Sequence, residues 1–240
     1  MGKNKLMRFA ENETFRCLVQ PEFDDIFGKD HPLKGRWRRD FFGNDNPVVL
    51  ELGCGKGEYT VGLSRIYPDC NFIGVDIKGA RMWRGAKTVT EEGISNAAFL
   101  RTRIEFITSF FAPGEVDEVW ITFADPQLKP GRAKKRLTSP FFLERYASFM
   151  KEDGAINLKT DSLHLHLYSK AVAEANALPV VTALTDIYNE PGLPRELSDI
   201  KTTYETRFLG EGKPITYLRF TLNGKKQFEA PDFEPDMQLG

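Results

Sequence analysis

From Pro47 onward the apolar positions fall into short runs separated by stretches with helical spacing. Val48-Val49-Leu50-Glu51-Leu52 is apolar at nearly every position, the pattern of a strand covered on both faces. Gly53-Cys54-Gly55-Lys56-Gly57 then reads as a turn, and Tyr59 to Tyr67 as a helix ended by Pro68. The spacing predicts further strands at 71–76, 97–100 and 116–123, and a helix over 80–92 closed by Gly93. Ser139-Pro140 has the form of an N-cap followed by proline at the first helical position, opening a helix to about Lys151. A strand at 155–159, a helix at 162–176 and strands at 179–188 and 215–222 complete the pattern. Alternating strands and helices predict an α/β fold, a mostly parallel seven-stranded sheet with helices on both faces. In such a sheet ligands sit beyond the C-terminal ends of the strands. Residues 1–46 show no clean period and read as a basic, aromatic N-terminal extension; 47–226 form the main domain; 227–240 read as an acidic, flexible tail.

Composition narrows the classes. The 240 residues are 41% hydrophobic, enough for a substantial core and too much for a disordered chain. Cys17, Cys54 and Cys70 lack metal-ligand spacing, and an odd count of three fits a reducing compartment. His164 and His166, two apart in a helical stretch, face different ways, so no metal is expected. No apolar run reaches the roughly 18 residues of a membrane span, and the N-terminus lacks the apolar centre of a signal peptide. A cytoplasmic protein without membrane contact is the expectation, as either a monomer or a homodimer.

A net charge of -1 argues, taken alone, against a nucleic-acid partner. Its distribution argues the other way. The segment 227–240 holds four acids and no Lys or Arg, which leaves +3 on the remainder. Five cations lie within Lys129–Arg136, and four more at Lys34, Arg36, Arg38 and Arg39. The first group grows out of the predicted ligand edge of the sheet, where cations would engage phosphates. The second is expected to help grip a phosphate backbone.

The candidate chemistry begins at the glycine loop. Glycines after a strand let the backbone pass close to a ligand. A dinucleotide loop would need glycine at 58, where Glu58 stands, and an acid there repels a pyrophosphate. A phosphate-binding loop would need Ser or Thr after Lys56, where Gly57 stands. A cationic or zwitterionic ligand suits the loop better, and Asp76, 25 residues beyond Glu51, can accept hydrogen bonds from a ribose. An ordinary tight turn is the competing reading; loop, spacing and acid together disfavour it. The set Glu51-x-Gly53-x-Gly55-x-Gly57 with Gly-Val-Asp76 resembles the S-adenosylmethionine site of class I methyltransferases, whose fold is Rossmann-like.

Asp125-Pro126-Gln-Leu-Lys129, then Lys134-Lys135-Arg136, resembles the tRNA (guanine-N7)-methyltransferase family. Lys159-Thr160-Asp161 and Thr202-Thr203-Tyr204-Glu205 match two later motifs of that family. The resemblance covers about residues 48–222. It implies methyl transfer from S-adenosylmethionine, leaving S-adenosylhomocysteine, to a guanine of tRNA, position 46 of the variable loop. It implies Asp125 as the catalytic residue, and Glu51, Gly53, Gly55, Asp76, Arg103 and Asp125 around the cofactor. Lys129, Asp161, Thr202, Thr203, Tyr204 and Glu205 would then contact the substrate.

The chain departs from the family pattern at several positions. Ala124 replaces a proline, and Gln127 with Leu128 a tryptophan. Gly131-Arg132 replaces a basic or histidine pair, and Arg103 an acidic or polar cofactor contact. Other readings stand beside these roles. Asp161 at a helix start suits a cap, Tyr204 suits core packing, Glu205 near Arg207 suits a surface ion pair, and Trp120 in a strand suits the core. A methyltransferase of another substrate and a non-catalytic RNA-binding protein on the same fold are the alternatives, the first disfavoured by the basic run.

Overall fold

Val48, Leu50 and Leu52 project to one side of their strand and Val49 and Glu51 to the other, and both sides are buried. In the computed structural model, which describes residues 3–233, that strand is the middle of a three-layer arrangement. The elements are α1 (Lys3–Asn12), β1 (Leu18–Val19), α2 (Phe23–Ile26), β2 (Val48–Leu52), α3 (Glu58–Ile66), β3 (Asn71–Asp76), α4 (Gly79–Glu92) and β4 (Ala97–Arg101). They continue with β5 (Val116–Thr122), α5 (Pro140–Phe149), β6 (Met150–Thr160), α6 (Leu163–Ala175), β7 (Val180–Leu184), α7 (Arg195–Ser198), α8 (Thr203–Gly210) and β8 (Thr216–Thr221).

The sheet order is β1-β4-β3-β2-β5-β6-β8-β7. All neighbours are parallel except β8, which runs antiparallel to β6 and β7. The order reverses direction between β2 and β5, so the crevice for a ligand opens beyond the ends of those strands. One core, from Leu50, Ile73, Ile121 and Ile156 with Leu143 and Tyr168, lies under α5 and α6. On the other face Val49, Phe72 and Trp120 pack against Tyr59 and Leu63 of α3, and Phe99 against Met82 of α4.

The class is the expected one, with eight strands instead of seven. The additional β1 pairs Leu18 with Phe99 and Val19 with Leu100 at the sheet edge. Two residues carry no readable alternation, and they lie in the segment expected to be an extension. That segment is built into the domain: α1 packs on α4, and Trp37 is fully buried in the main core, its indole N–H donating to the Phe110 carbonyl at 2.9 Å. β6 begins at Met150, five residues before the expected start. Ser139 caps α5 by position, but its hydroxyl donates to the Lys134 carbonyl instead of accepting from the helix. The acidic tail was expected to be flexible from 227. Phe228 is buried, Glu229 N–H donates to Asn176 Oδ1 at 2.8 Å, and the Phe233 ring meets His164 and Tyr168, so 227–233 is docked on α6. The remainder of the tail, 234–240, lies outside the described residues. No helix among the described residues is long and apolar enough to cross a membrane.

Candidate active site

Each strand from β2 to β6 delivers at least one predicted residue to the same edge. Gly53 and Gly55 follow β2, Asp76 ends β3, Arg103 follows β4, Asp125 follows β5 and Asp161 follows β6. They border two adjoining cavities of about 520 and 620 Å³. Both share Gly53, Asp76, Ile77, Gln127 and Leu137, so they form one cleft with two lobes.

The glycine loop takes a backbone that glycine adopts without strain. Gly53, Gly55 and Gly57 have φ of 79°, 57° and 75°, the left-handed region. A Cβ on Gly57 would collide with the Phe99 ring, whereas above Gly53 there is open space, the side that faces the cleft. Asp76 locks the loop: its carboxylate accepts from Gly55 N–H at 2.9 Å and from Lys78 N–H at 2.8 Å. Glu51 is buried beneath the same loop. One oxygen accepts from Thr60 N–H at 2.8 Å and from the Thr60 hydroxyl, the other from the Thr122 hydroxyl at 2.6 Å. Burial pushes its pKa up to about 7. Glu51 thus joins β2, α3 and β5, although it also borders the larger lobe.

Asp125 sits on a strained loop. Phe123 and Gln127 on either side have φ of 49° and 48°, uncommon for residues with a side chain. Asp125 Oδ1 accepts from Gln127 N–H at 3.0 Å. The loop is held from behind by Arg136, whose guanidinium donates to the carbonyls of Pro126 and Gln127, both at 3.2 Å. It also meets His164 Nε2 at 2.9 Å and stacks 4.2 Å over the Tyr168 ring. Arg136 is buried, so one of the five cations in the basic run is a brace and not a phosphate contact. A charge run carries no sign of which member turns inward. Lys134 and Lys135 border the cleft; Lys129, predicted to touch substrate, is exposed and outside its lining.

The late motif divides its work. Thr202 caps α8, its hydroxyl accepting from Glu205 N–H at 3.1 Å. Thr203 ties α8 to the glycine loop: its N–H donates to Glu58 Oε2 at 3.0 Å and its hydroxyl accepts from Lys56 Nζ at 3.1 Å. Tyr204 is 42% exposed, borders the larger lobe and stacks on Phe208, so it is not core. Glu205 turns the other way. It is fully buried, pairs with Lys159 Nζ at 2.8 Å and accepts from the Tyr188 hydroxyl at 2.7 Å. Neither the predicted substrate contact nor a surface pair with Arg207 describes it; Arg207 pairs with Glu211. Lys159, equally buried, also donates to the carbonyls of Leu197 at 3.0 Å and Ile200 at 3.3 Å.

Asp161 is half-buried in the larger lobe, and desolvation raises its pKa. It is not the helix cap; Ser162 is, accepting from Leu165 N–H at 3.2 Å. Arg103 is exposed, pairs with Glu105 at 3.3 Å and borders the smaller, more apolar lobe with Ile104 and Phe142.

The chain matches, over residues 45–218, the family described as "Putative methyltransferase". It is 53% identical over 221 residues to a tRNA (guanine-N(7)-)-methyltransferase of Christiangramia forsetii, covering 92% of this chain and 99% of that protein. It is 49% identical over 237 residues to one of Bacteroides thetaiotaomicron, covering 99% and 93%. Among solved structures, the 16S rRNA methyltransferase KamB superposes with a TM-score of 0.58 at 16% identity, covering 80% of this chain and 94% of that one, a likeness of fold.

Proposed function

The chain belongs to the tRNA (guanine-N7)-methyltransferase family, and from that membership we propose that its cleft transfers a methyl group from S-adenosylmethionine to N7 of a guanine in tRNA, position 46 of the variable loop. The observation that carries this reading is the meeting of a glycine-rich loop locked to Asp76 with the Asp125 and Asp161 carboxylates in a single cleft.

The residues present fit the cofactor. Open space over Gly53 accommodates a ligand pressed against the backbone. Asp76 stands at the rim for a ribose, and the lobe walled by Ile77, Ile104 and Phe142 suits an adenine ring, with Arg103 at its edge. Glu51 acts through Thr60 and Thr122, holding the loop in shape. When bound, S-adenosylmethionine supplies an electrophilic methyl group and leaves as S-adenosylhomocysteine.

Guanine N7 has an in-plane lone pair and no proton, so no residue has to remove one. The chain's task is to fix the ring in line and keep water out, a task of positioning. Asp161 accepts from the guanine's N–H groups, a pattern adenine lacks. Tyr204 offers a ring face. Asp125 stands where the ring becomes cationic on methylation, and a carboxylate there stabilises that charge. Lys134 and Lys135 hold phosphates at the rim.

Nucleoside mass spectrometry tests this directly. An unmodified tRNA transcript incubated with the protein and S-adenosylmethionine should yield 7-methylguanosine, and a transcript with adenosine at position 46 should not. No 7-methylguanosine from the first transcript overturns the reading.

A further inference from the structure

Lys78, Arg81, Arg84 and Lys87 stand three residues apart, from the N-cap of α4 to just past its middle, so each lies beside the next on the helix surface. Like charges at that spacing repel. Lys78 and Arg81 also stand at the end of the helix where the macrodipole is positive, and the first turn holds no acid. Only Lys87 is offset, by Glu11 at 2.9 Å and Glu91 at 3.8 Å. Among the described residues Lys78, Arg81 and Arg84 have no ion-pair partner, and all three are exposed. An arrangement that works against its own helix is explained most simply by an anion that arrives from outside.

α1 extends this face. Glu11 accepts from the Trp83 indole N–H at 2.6 Å, and Asn12 Nδ2 donates to the Gly79 carbonyl at 3.0 Å. The Arg8 guanidinium stacks 4.7 Å over the Trp83 ring, and its Nε is buried without a hydrogen-bond partner. Gly79 has no Cβ where Phe9 and Arg101 close in; a Cβ there would stand 3.1 and 3.0 Å from them. Docked in this way, α1 lays Arg8 on Trp83 and, through Phe9, which closes on Gly79 and lies 5.9 Å under Lys5 Nζ, brings Lys5 to the start of α4. Lys78 and Arg81 border the larger lobe of the cleft, as Lys135 does, so the face is continuous with the site.

We propose that this α1–α4 seam is a phosphodiester-binding surface that carries the RNA backbone to the cleft, with Lys5, Arg8, Arg81 and Arg84 as its contacts. It rests on the reading of the cleft as a tRNA methyltransferase site. Such contacts need no base identity, only cations free to meet phosphates. The cluster at Lys34–Arg39 does not qualify. Lys34 pairs with Asp30, Arg36 and Arg39 with Asp40, and Arg38 with Asp117. Arg38 also binds the Asn46 and Glu115 carbonyls, just before β2 and β5 begin, which places the cluster at the opposite edge of the sheet.

The test is tRNA binding across a salt series, with S-adenosylmethionine affinity measured in parallel. The Lys5→Gln/Arg84→Gln variant should bind roughly tenfold more weakly at low salt. Its log–log salt slope should be shallower by about 0.9 for each phosphate that is no longer neutralised. Its S-adenosylmethionine affinity should be unchanged, and Lys34→Gln/Arg39→Gln should bind tRNA like the wild type. Wild-type affinity and slope in Lys5→Gln/Arg84→Gln overturn the proposal while leaving the reading of function intact. An equal loss in both variants also overturns it, since bulk charge would then suffice. A wild-type protein that neither binds tRNA nor forms 7-methylguanosine overturns both.

Discussion

Glu51 is the residue whose surroundings are most at odds with its chemistry. It is a carboxylate inside the protein, satisfied by two threonines and, among the described residues, without an ion-pair partner. The native state therefore holds its proton more tightly than the unfolded chain, with a pKa near 7 against 4.5. Its contribution to stability is whole below pH 4.5, declines as the pH rises through 7, and is flat above. That displacement corresponds to roughly 3 kcal/mol across the window. Glu51→Gln can keep the contacts, its carbonyl oxygen serving Thr60 and its amide donating to the Thr122 hydroxyl. The variant should match the wild type at pH 5 and exceed it in thermal midpoint at pH 8. A difference that does not change with pH would refute the account. At this scale the sequence identified residues better than it identified their directions. Thr202 to Glu205 are recognisable as a motif, yet which side chain caps, which docks and which turns inward depends on Glu58 and Lys159, distant in the chain.

The end of β6 works as a pin. Lys159, buried under α7 and the chain that follows it, binds two of that segment's carbonyls and Glu205 of α8, and Asp161 emerges two residues later into the cleft. One strand end thus fixes both the Asp161 carboxylate in the cleft and the wall that carries Tyr204. Burial lowers the Lys159 pKa while Glu205 opposes the shift. Removing one partner strands the other's charge, at a cost of about 3–5 kcal/mol. Lys159→Met should lose that much in urea unfolding, and Lys159→Met/Glu205→Gln should recover part of it. A double variant no more stable than the single one would refute the pairing. The long elements were legible because their apolar spacing repeats over several turns or pleats. β1, α2 and α7 were not, because two to four residues hold no period and owe their form to neighbours such as β4.

At the scale of the molecule, the first 46 residues divide into parts with separate tasks. α1 widens the positive face beside the cleft, β1 extends the sheet, and the turn at Trp37–Phe42 closes the core at the far edge. Trp37 is enclosed by Phe41 and Phe111, and the neighbouring Arg38 binds Asp117, whose carboxylate also accepts from Val48 N–H at 2.8 Å. The N-terminal segment therefore supports the start of β2, the strand whose far end carries the glycine loop. Its aromatic residues were legible as composition, but their burial was not, since no period announced a packed face. Because these contacts belong to the main core, the segment and the sheet should unfold together. Trp37→Ala should cost about 3–5 kcal/mol in a single denaturant transition, with tryptophan fluorescence and far-ultraviolet dichroism coincident. An early transition confined to the N-terminal segment, with the sheet unaffected, would show instead that residues 1–46 are an appendage.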